Sequence, residues 1–170
     1  MALIAGSLLT AACGTKSTQR VGETPVAASA LSYRFESLDA RPVTSEAFAG
    51  KFTVMVFIAT GDLVSQAQAN FLVAMASHDG DRVNYALVAL QDGTTRELVE
   101  GYRDALKITF PIALGDTATT AGGGPFGDVA TVPTVVVIDP EGRLKWKKTG
   151  LAKPDEIRAQ MVVPDPAATK

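Results

Sequence analysis

The run Thr53 to Ile58, TVMVFI, leaves this chain few ways to fold. Val54, Val56 and Ile58 alternate with Met55 and Phe57, so a strand made from them is apolar on both faces and has to be covered on both, as central strands of parallel sheets are. The run ends at Ala59-Thr60-Gly61, and a helix is expected to start near Asp62. A turn between the carboxyl end of a buried strand and the amino end of a helix is where open α/β sheets place their chemistry.

The remaining elements are expected to assemble around that unit. Tyr33 to Leu38 alternates, and Asp39-Ala40-Arg41 before Pro42-Val43 predicts a turn into a second short strand, then a helical turn over Ser45 to Ala49 closed by Gly50. The helix after Gly61 is expected to face the sheet with Val64, Ala67, Phe71 and Ala74, flanked by Leu63 and Met75, and to stop at Asp79-Gly80-Asp81. A strand over Val83 to Leu90 follows, then a helix from Thr94 to about Lys107 with Leu98, Tyr102 and Ala105 inward and Glu97, Glu100 and Asp104 in solvent. Val135 to Ile138 reads as another buried strand, Asp139 to Gly142 as a turn, and Pro154 to Met161 as a closing helix. Between them, Thr117 to Val129 is expected to be a mobile surface loop. Its three consecutive glycines are not followed by Gly-Lys-Ser or Gly-Lys-Thr, which excludes a phosphate-binding P-loop.

A chain of 170 residues with 46% hydrophobic content supports one domain with a real core. Its net charge of −2 offers no electrostatic reason to expect nucleic acid. The densest positive run, Lys145-Trp146-Lys147-Lys148, reads as a half-exposed strand with its lysines toward water.

Cys13 is the single cysteine, so no disulfide can close within this chain. Ala2 to Ala12 is apolar, rich in small residues and well short of the roughly twenty residues that span a bilayer, but suited to the h-region of an export signal. Leu9-Thr10-Ala11-Ala12-Cys13 resembles a bacterial lipobox, which implies cleavage before Cys13 and a lipid on its sulfur. Thr10 stands where that motif usually has Leu, and no Lys or Arg precedes the run, so the natural start is expected upstream of Met1. A buried amino-terminal helix with an ordinary free cysteine is the alternative. Gly14 to Ala30 reads as a flexible tether. The expected division is thus 1–12 export signal, 13–30 lipidated cysteine and tether, 31–161 folded domain, and 162–170 disordered tail.

The core stretch resembles the F-W-A-T-W-C-x-x-C element of TlpA-like and AhpC/TSA thioredoxin-fold proteins. Phe57-Ile58-Ala59-Thr60 lies on F-W-A-T and Gly61 on the second Trp; Asp62 falls on the nucleophilic cysteine and Ser65 on the resolving one. Phe35, Asp39, Val43, Gly50 and Lys51 follow the family's amino-terminal hairpin pattern. Phe110-Pro111 resembles its F-P-x-x-x-D stretch, with Asp116 slightly displaced. Val132-Pro133-Thr134, Ile138-Asp139 and Gly142-Arg143-Leu144 match its carboxyl-terminal signature V-P-T-x-x-x-I-D-x-x-G-R-L. The resemblance implies an α/β thioredoxin-like fold: a central mixed sheet flanked by helices, with an amino-terminal β-hairpin. It also implies a cis Val132-Pro133 bond beside Asp62.

That likeness implies thiol-disulfide chemistry or, in its peroxide-reducing branch, an antioxidant, and both need sulfur where this chain has Asp62 and Ser65. A carboxylate at a helix start is expected to act as a cap. The only histidine, His78, lies thirteen residues past Ser65 on the same helix, about 20 Å away, too far for a Ser-His dyad. Asp62 and Asp92 follow strands that neighbour each other in the implied fold, with Asp128 further on, and such oxygens suit hard cations. Caps and turns explain each aspartate equally well, and no metal or other cofactor is expected. The expected function is a lipid-anchored envelope domain, facing the periplasm or outer membrane, that binds a protein or peptide partner. Its groove would be lined by Thr60, Gly61, Asp62, Leu63, Val132 and Pro133, with an oxidoreductase or a purely structural envelope lipoprotein as alternatives.

Overall fold

A computed structural model describes residues 29–90 and 96–161. Cys13, the expected signal, the tether up to residue 28, Asp92 and the expected tail lie outside the described residues; Ala30, at the end of the expected tether, forms an antiparallel bridge with Arg143 and so belongs to the fold. The chain runs β1 (Arg34–Ser37), β2 (Val43–Thr44), β3 (Thr53–Ile58), α1 (Leu63–Asp79), β4 (Asn84–Ala89), α2 (Arg96–Leu106), β5 (Ile112–Leu114), α3 (Thr117–Thr120), β6 (Thr134–Ile138), β7 (Leu144–Thr149) and α4 (Pro154–Arg158). These strands form a seven-stranded sheet in the order β2-β1-β5-β4-β3-β6-β7. β3, β4 and β5 are parallel; β1, β2, β6 and β7 pair antiparallel, so the sheet is mixed and carries the expected hairpin at one edge.

Every residue of β3 is buried, and its two faces enter two different cores. Val54, Val56 and Ile58 join Ala69, Leu72 and Met75 of α1, Val99 of α2 and Ile157 of α4. Met55 and Phe57 join Tyr33, Phe35, Val43, Phe48, Phe126 and Val129. The sheet is therefore flanked unevenly: α1, α2 and α4 pack on one face, while the hairpin and the glycine-containing segment close the other. The crossovers β3-α1-β4 and β4-α2-β5 step in the same direction across the sheet, and a shared hand, right-handed as the rule for such units, puts α1 and α2 on one side.

The phase of both long helices differs from the one expected. On α1 the inward residues are Ser65, Gln68, Ala69, Leu72, Met75 and Asp79, whereas Leu63 is 79% exposed, Val64 is 44% exposed and Ala74 also faces solvent. Buried polar groups set this phase. Gln68 Oε1 accepts from the Ala152 N–H at 2.7 Å. The Asp79 carboxylate takes Arg158 Nη1 at 2.9 Å and the Tyr85 hydroxyl. Burial and that carboxylate together push the Tyr85 hydroxyl well above the ordinary phenol range. On α2, Val99 is buried and Tyr102 and Leu106 pack on the core, but Leu98 is 54% exposed and Ala105 faces water. Arg96 fixes that rotation, donating to Leu38 O at 3.1 Å and to Glu36 at 2.7 Å.

Three further expectations are corrected. The segment after Gly115 is not a mobile surface loop: α3 is capped by Asp116, which accepts from Thr119 N–H at 2.7 Å, and Phe126 and Val129 are buried. Phe126 is the centre of an aromatic cluster, 5.2 Å from both the Tyr33 and Phe57 ring centroids and 6.1 Å from Phe35. The β7 lysines do not all face water. Lys147 Nζ donates to Phe126 O and Asp128 O at 3.1 and 3.0 Å, and Lys148 pairs with Glu156 at 2.8 Å. Lys145 alone of the three stays exposed, 5.3 Å from the centroid of the Phe52 ring. The closing helix ends at Arg158 and passes through turns to Met161.

Because Phe126 stitches the segment to the sheet, Phe126→Ala is expected to cost about 3–5 kcal/mol in equilibrium urea unfolding. A loss under about 1 kcal/mol would return this segment to the status of an ordinary surface loop.

Candidate functional site

The geometry at the end of β3 follows from a short chain of local hydrogen bonds. Asp62 N–H donates to Ala59 O at 3.1 Å, closing the turn that lifts the chain out of the sheet. Asp62 has extended backbone angles, φ −97° and ψ 124°, and its carboxylate accepts from the Ser65 N–H at 2.6 Å, which makes it the N-cap of α1. The expected capping role is the one observed. The Ser65 hydroxyl first, and the Ser65 N–H after it, hold the Asp62 carboxyl below the usual carboxylate range. Ser65 is fully buried, and its Oγ also accepts from the Ala59 N–H at 3.4 Å, so this serine ties the helix start back to the strand end.

The antiparallel register sets Phe57 opposite Thr134. The Val132-Pro133 peptide immediately before Thr134 is cis, as the resemblance implies, and leaves the sheet at the same end as the turn from Ala59 to Asp62. Pro133 is buried and its carbonyl accepts from Gly150 N–H at 2.7 Å; Val132 is half-buried. Thr60, Gly61, Asp62, Leu63, Val132 and Pro133 thus come from two segments that leave the sheet at the same pole.

Tyr102 is a neighbour that sequence reasoning placed inward without giving it a role. Its hydroxyl is buried with no hydrogen-bond partner among the described residues. Burial, and then the negative charge of Asp62, push that hydroxyl up to about 12. An aromatic residue at an inward helical position was the available signal; its approach to Asp62 depends on how α2 is rotated.

The chemical capacity of this pole is narrow. Asp62 is a charged cap, Ser65 is a buried hydroxyl, and His78 sits exposed in the last turn of α1, far from both. Among the described residues, no group of three His, Cys, Asp or Glu side chains could hold a metal ion. Asp62 is occupied by its cap, and Asp128 Oδ1 accepts from Ala130 N–H at 3.1 Å. No helix among the described residues is long and apolar enough to cross a membrane.

No protein-family model matches the sequence, and no curated protein matches it significantly. Solved structures do share its architecture. A DsbF homologue from Corynebacterium diphtheriae superimposes with a TM-score of 0.72 at 16% identity, covering 86% of this chain and 95% of its own. A secreted Mycobacterium tuberculosis disulfide oxidoreductase, described as homologous to E. coli DsbE, gives 0.62 at 16% identity over 76% and 93%. StoA from Bacillus subtilis gives 0.60 at 18% identity over 79% and 98%. At these identities the likeness establishes the fold: a thioredoxin-like α/β domain, the architecture of these thiol-disulfide oxidoreductase structures, in a chain whose one cysteine lies far from α1 in sequence.

The cap makes a pH-dependent prediction. The folded-state value of Asp62 lies below that of the unfolded chain, about 3.9, so its stabilisation is present at neutral pH and is lost as pH falls from about 4 through the folded value. Asp62→Ala is expected to cost about 0.5–2 kcal/mol at pH 7, with the gap to the wild type closing in acid. Urea unfolding across pH 2 to 7 measures it, and a gap that stays constant would contradict capping by the ionised carboxylate.

Proposed function

We propose that this chain is a TlpA-like, thiol-free thioredoxin-fold protein of the cell envelope, anchored by a lipid on Cys13, that binds extended polypeptide instead of exchanging disulfides. The observation that carries this reading is the amino end of α1, where a carboxylate caps the helix and a buried hydroxyl follows one turn later. In a redox-active protein of this fold, that helix end lowers a thiol pKa and the thiolate attacks a disulfide sulfur. Asp62 keeps the negative charge and Ser65 keeps the volume, but neither can form or break an S–S bond.

What such a replacement leaves is a recognition surface. Leu63 and Val64 expose apolar side chains beside the turn, in a fold whose cis-proline segment can offer backbone groups to an extended strand. The membrane anchor and envelope location rest on the lipobox-like sequence around Cys13, together with the secreted character stated for the M. tuberculosis protein of the same fold. No nucleic acid, metal or cofactor enters this reading.

The groove is tested by calorimetric titration of a panel of extended peptides derived from envelope proteins. Thr60→Glu and Val132→Asp are expected to weaken binding by about tenfold or more, the equivalent of losing one buried apolar contact. Affinity indifferent to both substitutions would exclude the groove.

The second reading, an oxidoreductase, is favoured by the names of the structures that share the fold. An insulin-reduction assay separates the two: the wild-type chain is expected to show no turnover above background. The double variant Asp62→Cys/Ser65→Cys is expected to close a disulfide, seen by thiol titration and mass, and to gain activity. Turnover by the wild type would decide for the enzyme, and failure of the paired cysteines to bond would remove the equivalence of these positions with a C-x-x-C pair.

A further inference from the structure

A second concavity lies at the opposite pole of the sheet. β3 and β4 begin there, Thr53 beside Asn84, a strand length or about 20 Å from the turn at Gly61. Where the hairpin, the end of α1 and the segment before β5 meet, they leave a cleft of about 470 Å³, within the range of small-molecule sites. Its apolar wall is made by the edges of Phe48, Tyr85 and Phe110, core residues each less than a tenth exposed, the last two with ring centroids 6.0 Å apart.

Three charged side chains line the cleft: Arg41, Lys51 and Asp81. Arg41 is committed, with Nη1 donating to Thr109 O at 2.5 Å and Nε and Nη2 held by Asp39. Lys51 and Asp81 are different. Both are exposed, and neither has an ion-pair partner among the described residues. Asp79, two residues from Asp81, is taken up by Arg158 and Tyr85 and offers nothing to the cleft. An apolar, aromatic wall beneath two uncommitted charges of opposite sign is complementary to a molecule that carries both charges at separate ends of an apolar body.

We propose that this cleft binds a small zwitterion of dipeptide size bearing an aromatic side chain, its carboxylate toward Lys51, its ammonium toward Asp81 and its ring against Phe48, Tyr85 and Phe110. This site is independent of the groove at the other pole, and its occupant is a free small molecule, not a protein segment.

The probes are the dipeptide glycyl-phenylalanine, its N-acetyl derivative and its carboxyl-terminal amide, each titrated into the ¹⁵N-labelled chain and followed by amide shifts. The dipeptide is expected to give saturable shifts at Phe48, Lys51, Asp81 to Asn84 and Thr109. Each blocked form is expected to bind about threefold to fivefold more weakly, the scale of one exposed ion pair. Lys51→Met should abolish the preference for the free carboxylate alone, and Asp81→Asn the preference for the free ammonium alone. Absence of saturable shifts at these residues, equal binding of all three probes, or variants that retain both preferences would overturn the proposal. Shifts confined to Thr60 to Leu63 and Val132 would also overturn it while leaving the groove reading intact.

Discussion

The structure depends on a strand that has no solvent side. Each of the six residues of β3 is buried, and the alternation along it sends Val54, Val56 and Ile58 into one core and Met55 and Phe57 into another. At about 25 cal/mol per Å² of apolar surface, such a strand is stabilising only when both coverings are present. Helices supply one covering. Aromatic side chains from the hairpin and from the segment carrying Phe126 supply the other, so a stretch rich in glycine becomes part of the core.

The same strand determines where chemistry can occur. A chain leaving a buried strand must recover its backbone hydrogen bonds at once, and Asp62 and Ser65 do this with oxygen, the first accepting from the helix and the second from the strand end. The turn is open to solvent, and the side chains present satisfy the backbone. Fold and reaction are separable for this reason: the scaffold needs a good acceptor at the helix start, and whether that acceptor is also a nucleophile is a further demand.

How much could be read from the sequence depended on where hydropathy tells the whole story. β3, the turn at Ala59 to Gly61, the cap at Asp62, the hairpin that carries Phe35 and Val43 and the cis bond at Pro133 were all legible, because each rests on a local pattern or a motif. Helix phase was not. Val64 and Leu98 are apolar and exposed, while Gln68 and Asp79 are polar and buried, since their partners Ala152 and Arg158 lie far along the chain. No periodicity count can see a hydrogen bond across that separation. Phe126 was missed for a related reason: a single aromatic among glycines looks like loop, and only the cluster of Tyr33, Phe35 and Phe57 gives it a place. For Lys147 and Lys148, pattern identified the strand, but their bonds to the Phe126 and Asp128 carbonyls and to Glu156 are tertiary.

The two long-range bonds of α1 bear on how the molecule is made. Gln68 and Asp79 reach partners 84 and 79 residues downstream. During synthesis the helix leaves the ribosome long before Ala152 and Arg158 do, with the Gln68 amide lacking its partner and the Asp79 carboxylate held only by its neighbours, the Tyr85 hydroxyl and, at 3.9 Å, Arg82. Packing α1 in that interval would bury the Gln68 carbonyl oxygen unpaired and leave Asp79 without its nearest cation, a cost of about 1–3 kcal/mol for the amide alone. The final seating of this helix is therefore completed only when the last turn of the domain emerges, because the bonds from Ala152 and Arg158 are the last that α1 can make.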